Sequence, residues 1–163
     1  MYKALIAGSF DPVTVGHLDM IRRASRLCKD LTVWVFRNYS KPGMFTVEQR
    51  IEMLRACTKD LPNVTVTSFE GHLANYVLAN GYDAVIRGLR SGMDFEYELQ
   101  FSQIYESFYK GRVETLYIMT SPQYSFVTSS VVRENFMLKA DVSDWVPDGV
   151  LELMNQYYKG ESK

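Results

Sequence analysis

Residues able to bind a phosphate follow the first apolar segment of the sequence. The stretch Ala4–Ile21, ALIAGSFDPVTVGHLDMI, continues through Ser9 and Asp11 and reaches His17 where a helix-like apolar periodicity begins. Free amides and the positive dipole end at a helix N-terminus favour an anion, and Gly16 would let a phosphate approach the backbone closely. The same residues also suit a simple turn, in which Ser9 and Asp11 accept hydrogen bonds from backbone amides. This loop alone leaves both interpretations open.

Three cations occupy comparable positions further along the chain. Lys41 lies in RNYSKPGMF beside a proline and a glycine, where a lysine is more often simply solvated. Arg87 and Arg90 lie in IRGLRSGMDFEYE. Arg87 comes directly after apolar strand residues, where a guanidinium needs an anionic partner, whereas Arg90 also suits an ordinary exposed position.

A cluster of hydroxyls marks a second candidate phosphate site. Thr128, Ser129 and Ser130 stand together in SFVTSSVVRE, with Arg133 one helical turn later. Hydroxyls and free amides at a helix N-terminus bind phosphate. An N-cap would need only one of the three hydroxyls, so the cluster exceeds what capping requires.

Strand-like and helix-like segments alternate from one end of the chain to the other. Five short segments rich in β-branched and aromatic residues predict strands at Lys3–Gly8, Leu31–Phe36, Val64–Phe69, Ala84–Gly88 and Thr115–Thr120. Helical patterns lie at His17–Cys28, Thr46–Leu61, His72–Asn80, Met93–Tyr109, Ser129–Lys139 and Pro147–Tyr158. Thr46 and Gln49 have the spacing of a capping box, and Pro147 suits a first helical position.

This alternation predicts an α/β fold: one doubly wound, Rossmann-like domain over residues 1–163, in which helices cover both faces of a five-stranded parallel sheet. Only the last few residues, KGESK, are expected to fray. Ligands of open α/β sheets bind beyond the carboxyl ends of the strands, where the strand order reverses. The phosphate-binding residues all follow predicted strands, so we expect them to meet at this edge.

Composition and motifs exclude several classes of function. The net charge of −1 provides no global basic field for nucleic acid. The sequence has neither the G-x-G-x-x-G dinucleotide fingerprint nor a Walker motif. No apolar run approaches the ~20 residues of a membrane span, and no signal peptide pattern precedes the first strand. We therefore expect a cytoplasmic protein that binds neither membranes nor nucleic acid.

The cysteines and histidines add little further chemistry. Cys28 and Cys57 fall in helix-like segments without metal or redox spacing, which favours two reduced, buried thiols. His17 and His72 are the two histidines, so a histidine-rich metal site is excluded. His72 opens the segment after the third strand and fits a solvated or helix-starting position, so we leave it out of catalysis.

Two helix N-termini, a lysine, a histidine and up to three arginines thus converge on one sheet edge. This set predicts a polyphosphate site. Since no candidate covalent nucleophile accompanies the cations, it suits direct in-line phosphoryl or nucleotidyl transfer, in which charge stabilisation supplies most of the catalysis.

Four motifs together carry a specific resemblance. GSFDPVTVGH, SKPGMFT, IRGLRSGMDFEYE and SFVTSSVVRE occur in this order, with family-like spacing, over roughly residues 3–157. In these motifs the chain resembles the bacterial phosphopantetheine adenylyltransferases, nucleotidyltransferases with an (H/T)-x-G-H signature. The resemblance implies transfer of the adenylyl group of ATP to 4'-phosphopantetheine, giving dephospho-coenzyme A and pyrophosphate. It also implies the penultimate step of coenzyme A biosynthesis and in-line attack without an enzyme-bound intermediate.

The resemblance also implies a role for each matching residue. The ATP site would comprise Ser9, Phe10, His17, Gly88, Arg90, Glu98, Tyr124, Ser129 and Ser130. The phosphopantetheine site would comprise Ser9, Lys41, Leu73, Asn75 and Arg87. His17, Lys41 and Arg87 would be catalytic: His17 would stabilise the transition state, and Lys41 and Arg87 would hold the attacking phosphate.

Further expectations follow from the same resemblance. Mg²⁺ would be held mainly through ATP phosphates, the chain would assemble as a homohexamer, and coenzyme A would be a candidate feedback inhibitor. The aromatic segment DFEYELQFSQIYESFY offers apolar surface for an interface, although helical spacing suits a core as well.

Two alternatives stay open, and the chain departs from the family pattern at three positions. Thr14 replaces the first signature histidine, Val15 stands where Asn is frequent, and Tyr105 replaces a smaller polar residue near the pantetheine pocket. One alternative is a related transferase acting on nicotinamide mononucleotide or a phospho-alcohol. The other is a non-catalytic nucleotide sensor, which would be expected to lack the charged residues present here.

Overall fold

Five parallel strands form the centre of the molecule. The structure is a computed structural model that describes residues 2–36 and 43–161. The strands are β1 (Tyr2–Gly8), β2 (Cys28–Val35), β3 (Val64–Ser68), β4 (Ala84–Leu89) and β5 (Glu114–Met119). Their order across the sheet is β3-β2-β1-β4-β5, and all four neighbouring pairs are parallel. The predicted sheet is therefore confirmed, and its strand order reverses between β1 and β4.

Within the described residues, six α-helices connect and cover the strands. They are α1 (Val15–Ser25), α2 (Val47–Thr58), α3 (Leu73–Ala79), α4 (Gly92–Tyr109), α5 (Ser129–Met137) and α6 (Val150–Glu161). Short 3₁₀ helices follow β5 at Pro122–Tyr124 and α5 at Ser143–Trp145. The predicted capping box of α2 is confirmed: Thr46 Oγ1 accepts from the Gln49 amide, and Gln49 Oε1 accepts from the Thr46 amide. No helix in the described ranges is both long and apolar enough to cross a membrane.

Alternating strand residues supply two separate cores. Ala4 and Ile6 of β1 face a core shared with α1, α2, α5 and α6, whereas Leu5 faces a second core with α3 and α4. This alternation follows from the two-residue period of a strand buried on both faces. Trp34 is buried in the second core, and Trp145 packs against the first.

The predicted boundary between the first helix and the second strand is wrong. The helix expected to run through Cys28 ends at Ser25, and Cys28 begins β2. The Asn63 side chain donates to the carbonyls of both Ser25 and Cys28, which fixes the turn between them. Both cysteines are nevertheless free and buried, as expected.

The last helix also begins later than the sequence suggested. It starts at Val150, not at Pro147. Gly149 lies between them with a φ of 78°. This left-handed conformation cannot continue a right-handed helix.

Candidate active site

A cavity of about 400 Å³ opens at the carboxyl edge of the sheet, where the strand order reverses. This is the location and size expected for a small-molecule site in an open α/β fold. The sequence-predicted residues that line it are Ser9, Phe10, His17, Arg87, Gly88, Arg90, Glu98, Ser129 and Ser130. Gly88 allows close packing there, since a Cβ on it would lie 2.8 Å from Met20 Sδ.

Of the four other predicted residues, the three that the structure describes are not part of this lining. Lys41 lies outside the described residues. Leu73 lines a smaller cavity that shares Arg87 and Glu98 with the main one. Asn75 is exposed on α3. Tyr124 ends the 3₁₀ helix after β5, where its Cβ would lie 3.4 Å from a Cβ placed on Gly16.

His17 is held by the start of its own helix. Thr14 caps α1, and its Oγ1 lies 3.3 Å from the His17 amide that donates to it. In return the Thr14 amide donates to His17 Nδ1 over 3.1 Å. A nitrogen that accepts from an amide carries no proton, so the proton of the neutral ring is on Nε2. His17 therefore presents an Nε2–H donor.

The turn before α1 also orients the His17 ring. Phe10 is buried and adopts a left-handed backbone conformation with a φ of 46°. Its ring meets the imidazole edge to face, with 5.1 Å between centroids. Phe10 was expected at the ATP site; its buried ring contacts the histidine and belongs to the cavity wall.

The environment keeps His17 neutral. Desolvation, together with the smaller effect of the positive charge of Arg90, lowers its pKa from 6.5 to about 4. At neutral pH the ligand-free ring is therefore uncharged. A bound polyphosphate would raise this pKa, because a nearby anion favours the imidazolium.

This pKa shift predicts a pH dependence of folding. The unfolded chain binds a proton at His17 below pH 6.5, whereas the folded chain does so only near pH 4. Stability is therefore lost as the pH falls through this window. We expect the wild type to lose about 1–2 kcal/mol more than His17→Gln between pH 7 and pH 5. Glutamine can keep the capping box. Urea unfolding at the two pH values measures the difference, and equal losses would contradict the shift.

Arg87 and Glu98 form a bidentate ion pair in the cavity wall. Arg87 Nε and Nη2 donate to the two Glu98 carboxylate oxygens at 2.6 and 2.8 Å. The anionic partner expected for Arg87 is therefore supplied from α4. Two of the five guanidinium N–H groups are used, so the remaining donors can still bind a phosphate.

Arg90 has a similar but more exposed partner. Its Nε and Nη2 donate to Asp94 at 2.9 and 3.1 Å, and its amide donates to Asp94 at 3.0 Å. Asp94 thus holds the guanidinium beside the cavity. Arg90 lines the cavity and places a positive charge close to His17.

The hydroxyl cluster at α5 divides into distinct tasks. Thr128 is the N-cap, and its Oγ1 accepts from the Val131 amide at 3.1 Å. The Ser129 hydroxyl donates to the Pro12 carbonyl at 2.8 Å, which ties α5 to the β1–α1 loop. Ser130 Oγ accepts from Arg133 at 3.3 Å. First-turn amides have no partner within the helix, so those of Ser129 and Ser130 suit an anion at the cavity.

A buried charge cluster at the cavity wall was not foreseen as a unit. Asp11 accepts hydrogen bonds from the amides of Met44 and Phe45, and lies 3.3 Å from Arg50 Nε. Arg133 donates to the Asp11 carbonyl oxygen. An arginine among the apolar positions of α2 was the signal available in the sequence, since a charge on that face requires a partner.

The residues fit a metal carried by the substrate. Among residues 2–36 and 43–161, no three His, Cys, Asp or Glu side chains group into a metal site. The two carboxylates that line the cavity, of Asp11 and Glu98, are both paired with arginines. Mg²⁺ prefers substrate phosphates and water with few protein ligands, so this donor set suits Mg²⁺ that enters with a nucleotide.

Comparison with known proteins shows the family and the fold of this chain. Residues 5–135 match the cytidylyltransferase-like family. A Vibrio parahaemolyticus protein provisionally assigned as a nicotinate-nucleotide adenylyltransferase has the same fold, with a TM-score of 0.71 over 96% of this chain and 93% of its own. Its sequence identity is 19%, which shows the fold alone.

Closer relatives give the family. The chain is 43% identical to the phosphopantetheine adenylyltransferase of Staphylococcus carnosus, over 96% of both chains. It is 44% identical to that of Corynebacterium diphtheriae, over 92% of this chain and 94% of the relative. Identity at this level over nearly complete chains shows the family, so this nucleotidyltransferase belongs to the phosphopantetheine adenylyltransferase family.

Proposed function

We propose that the chain joins the α-phosphate of ATP to the phosphate of 4'-phosphopantetheine in one in-line step at the main cavity. A phosphate oxygen of phosphopantetheine attacks the α-phosphorus, and the bond to the β-phosphate oxygen breaks. Pyrophosphate leaves, and dephospho-coenzyme A forms. The observation that carries this proposal is the fixed Nε2–H of His17 at a cavity lined by arginines.

His17 would donate from Nε2 to a non-bridging oxygen of the α-phosphate. Charge on that oxygen grows in the transition state, and a donor oriented beforehand stabilises it without reorganisation. The Thr14 amide and the Phe10 ring hold the imidazole in place. The ring needs no proton transfer for this task, which agrees with its lowered pKa.

The triphosphate would extend from His17 to α5. Ser129 and Ser130 amides would receive the β- and γ-phosphates at the helix N-terminus, and Arg90 would bind phosphate oxygens from the β4 side. Mg²⁺ would accompany ATP and offset the negative charge of its phosphates. Gly88, Glu98 and the turn at Tyr124 complete the proposed nucleotide site.

The attacking phosphate would lie by Arg87, with Ser9 and Lys41 as further contacts. The small cavity beside Arg87 is lined by apolar and aromatic residues, including Leu73 and Tyr105. The pantetheine arm would run past this cavity, whose volume of about 20 Å³ admits only a small part of it, with Asn75 on the outer side. Because Tyr105 lines this cavity, its ring would shape the arm site and any binding of coenzyme A there.

We also propose a homohexamer in the cytoplasm. Exposed apolar side chains occur on α4 and on β5, an edge strand of the sheet: Phe95, Leu99, Ile104, Phe108, Leu116 and Met119. Exposed apolar side chains on a helix and an edge strand are candidates for an interface between subunits. Light scattering of the purified chain measures its mass directly.

Pyrophosphate release tests the substrate assignment. The enzyme is assayed with MgATP and 4'-phosphopantetheine, with nicotinamide mononucleotide as a parallel acceptor. With MgATP present, we expect pyrophosphate release with phosphopantetheine and not with nicotinamide mononucleotide. Dephospho-coenzyme A should form in an amount equal to the pyrophosphate. Release with nicotinamide mononucleotide alone would move the chain to another substrate, and no release with any phosphate acceptor would favour a nucleotide sensor.

A further inference from the structure

The buried ion pair between Asp11 and Arg50 lies in the wall of the main cavity. Their side chains are 7% and 6% exposed, and Arg50 Nε lies 3.3 Å from Asp11 Oδ1. Both residues line the cavity. Neither has a part in the phosphate contacts proposed above.

The pair joins the loops that follow β1 and β2. From the first loop, the Asp11 carboxylate accepts from the amides of Met44 and Phe45 at 2.9 and 3.0 Å. From the start of α2, Arg50 donates to the carbonyls of Phe45 at 2.7 Å and Ser9 at 3.2 Å. Each charged group therefore binds the backbone of the other's loop.

The packing around Arg50 leaves its guanidinium little freedom. A Cβ placed on Gly43 would overlap the Arg50 guanidinium and would lie 3.1 Å from Asp11 Oδ2. Glycine at this position thus allows the backbone to cover the ion pair. Arg133 reaches the same carboxylate from α5, with 3.6 Å between its Nη1 and Asp11 Oδ2.

Stability alone gives no reason for such a pair. Removing two charges from water is costly, and apolar residues of similar size often replace a buried pair without loss. The contacts of the pair instead connect it to the residues that would act on the substrate. Ser9 and Asp11 are held on either side of Phe10, and the Phe10 ring contacts the His17 imidazole.

We propose that Asp11 and Arg50 form a positioning unit for the transfer step. By fixing both sides of the Ser9–Asp11 turn, the pair sets the Phe10 ring against His17 and aligns the Nε2–H with the α-phosphate. This inference rests on the proposed role of His17. It adds two residues that act through the turn and touch neither substrate.

Four variants test the unit: Arg50→Met, Arg50→Lys, Asp11→Asn and the double variant Asp11→Asn with Arg50→Met. Arg55→Met is the matched control, because Arg55 lies on the same helix and also donates to a backbone carbonyl, that of Val66 at 3.2 Å. For each variant, kcat is measured well below its unfolding midpoint. The Kd of ATP is measured by calorimetry.

We expect Arg50→Met and Asp11→Asn each to lower kcat about 10- to 100-fold, as a small misplacement of a reacting group does. The Kd of ATP should change less than threefold. Arg50→Lys should recover part of kcat, and the double variant should be no slower than the slower single variant, because the residues act as one unit.

Three results would overturn the proposal. The first is that Arg50→Met and Asp11→Asn keep kcat within twofold of Arg55→Met, which would make the pair purely structural. The second is a raised Kd of ATP at unchanged kcat, which would make Arg50 a nucleotide contact. The third is additive losses of kcat in the double variant.

If Arg50→Met does not fold, Arg50→Lys and Asp11→Asn are compared with the control in its place. A wild-type chain inactive with phosphopantetheine would contradict the proposed function, not this coupling.

Discussion

Replacement of His17 by alanine is expected to lower kcat about 10²- to 10³-fold, the usual effect of losing one oriented donor to a developing anion. The Kd of ATP should remain within threefold, because the arginines and the α5 amides retain their contacts with the triphosphate. The difference arises because the Nε2–H is needed most when charge accumulates on the α-phosphate. Single-turnover pyrophosphate release gives the rate of transfer, and calorimetry gives the Kd.

His17→Gln separates this effect from damage to the helix start. The His17 side chain also closes the capping box of α1 by accepting from the Thr14 amide, and a cap contributes about 1 kcal/mol. Glutamine can accept that hydrogen bond, so His17→Gln should unfold like the wild type at neutral pH and still transfer slowly. A fall in ATP affinity as large as the fall in kcat would instead make His17 a ground-state ligand.

Arg87→Met is expected to raise the KM for phosphopantetheine about 10- to 200-fold and to leave the Kd of ATP within threefold. A hydrogen bond to a charged group contributes about 1.5–3 kcal/mol, and methionine fills a similar volume without a charge. Initial rates over a range of phosphopantetheine at saturating MgATP give the KM. A raised Kd of ATP with unchanged KM for phosphopantetheine would place Arg87 at the nucleotide instead.

Glu98 affects the interpretation of Arg87→Met and also supplies its control. Arg87→Met leaves the Glu98 carboxylate part-buried without its ion-pair partner, which also destabilises the fold. Adding Glu98→Gln removes that charge, so the double variant should regain stability while the KM stays high. Arg90→Met is the matched arginine control, because it should weaken ATP and spare phosphopantetheine.

Local signals in the sequence predicted the sheet and one of two capping boxes. Thr46 and Gln49 follow the standard residue types, so the α2 start was predicted from spacing alone. The α1 box uses His17 as its acceptor. Histidine is not a standard residue at this position of a capping box. The sequence therefore identified His17 and the helix that it starts, but not the hydrogen bond that fixes its tautomer.

Contacts distant in sequence were beyond such signals. Arg87 was expected to need an anion, but its assignment to Glu98 depends on how α4 lies against β4. The pairing of Asp11 with Arg50 depends on two loops that meet only because β1 and β2 are neighbours. Chain pattern predicts which edge collects the charges, whereas the packing of the elements decides which charges pair.

The two cores on opposite faces of the sheet provide separate optical reporters of unfolding. Trp34, stacked on Tyr76 with 5.9 Å between ring centroids, fluoresces from one face. Trp145 does so from the other. Single-tryptophan chains made by Trp34→Phe or Trp145→Phe would therefore follow each face alone. Because β1, β2 and β4 contribute residues to both cores, the two emission changes should coincide along a denaturant gradient, as in one cooperative unit.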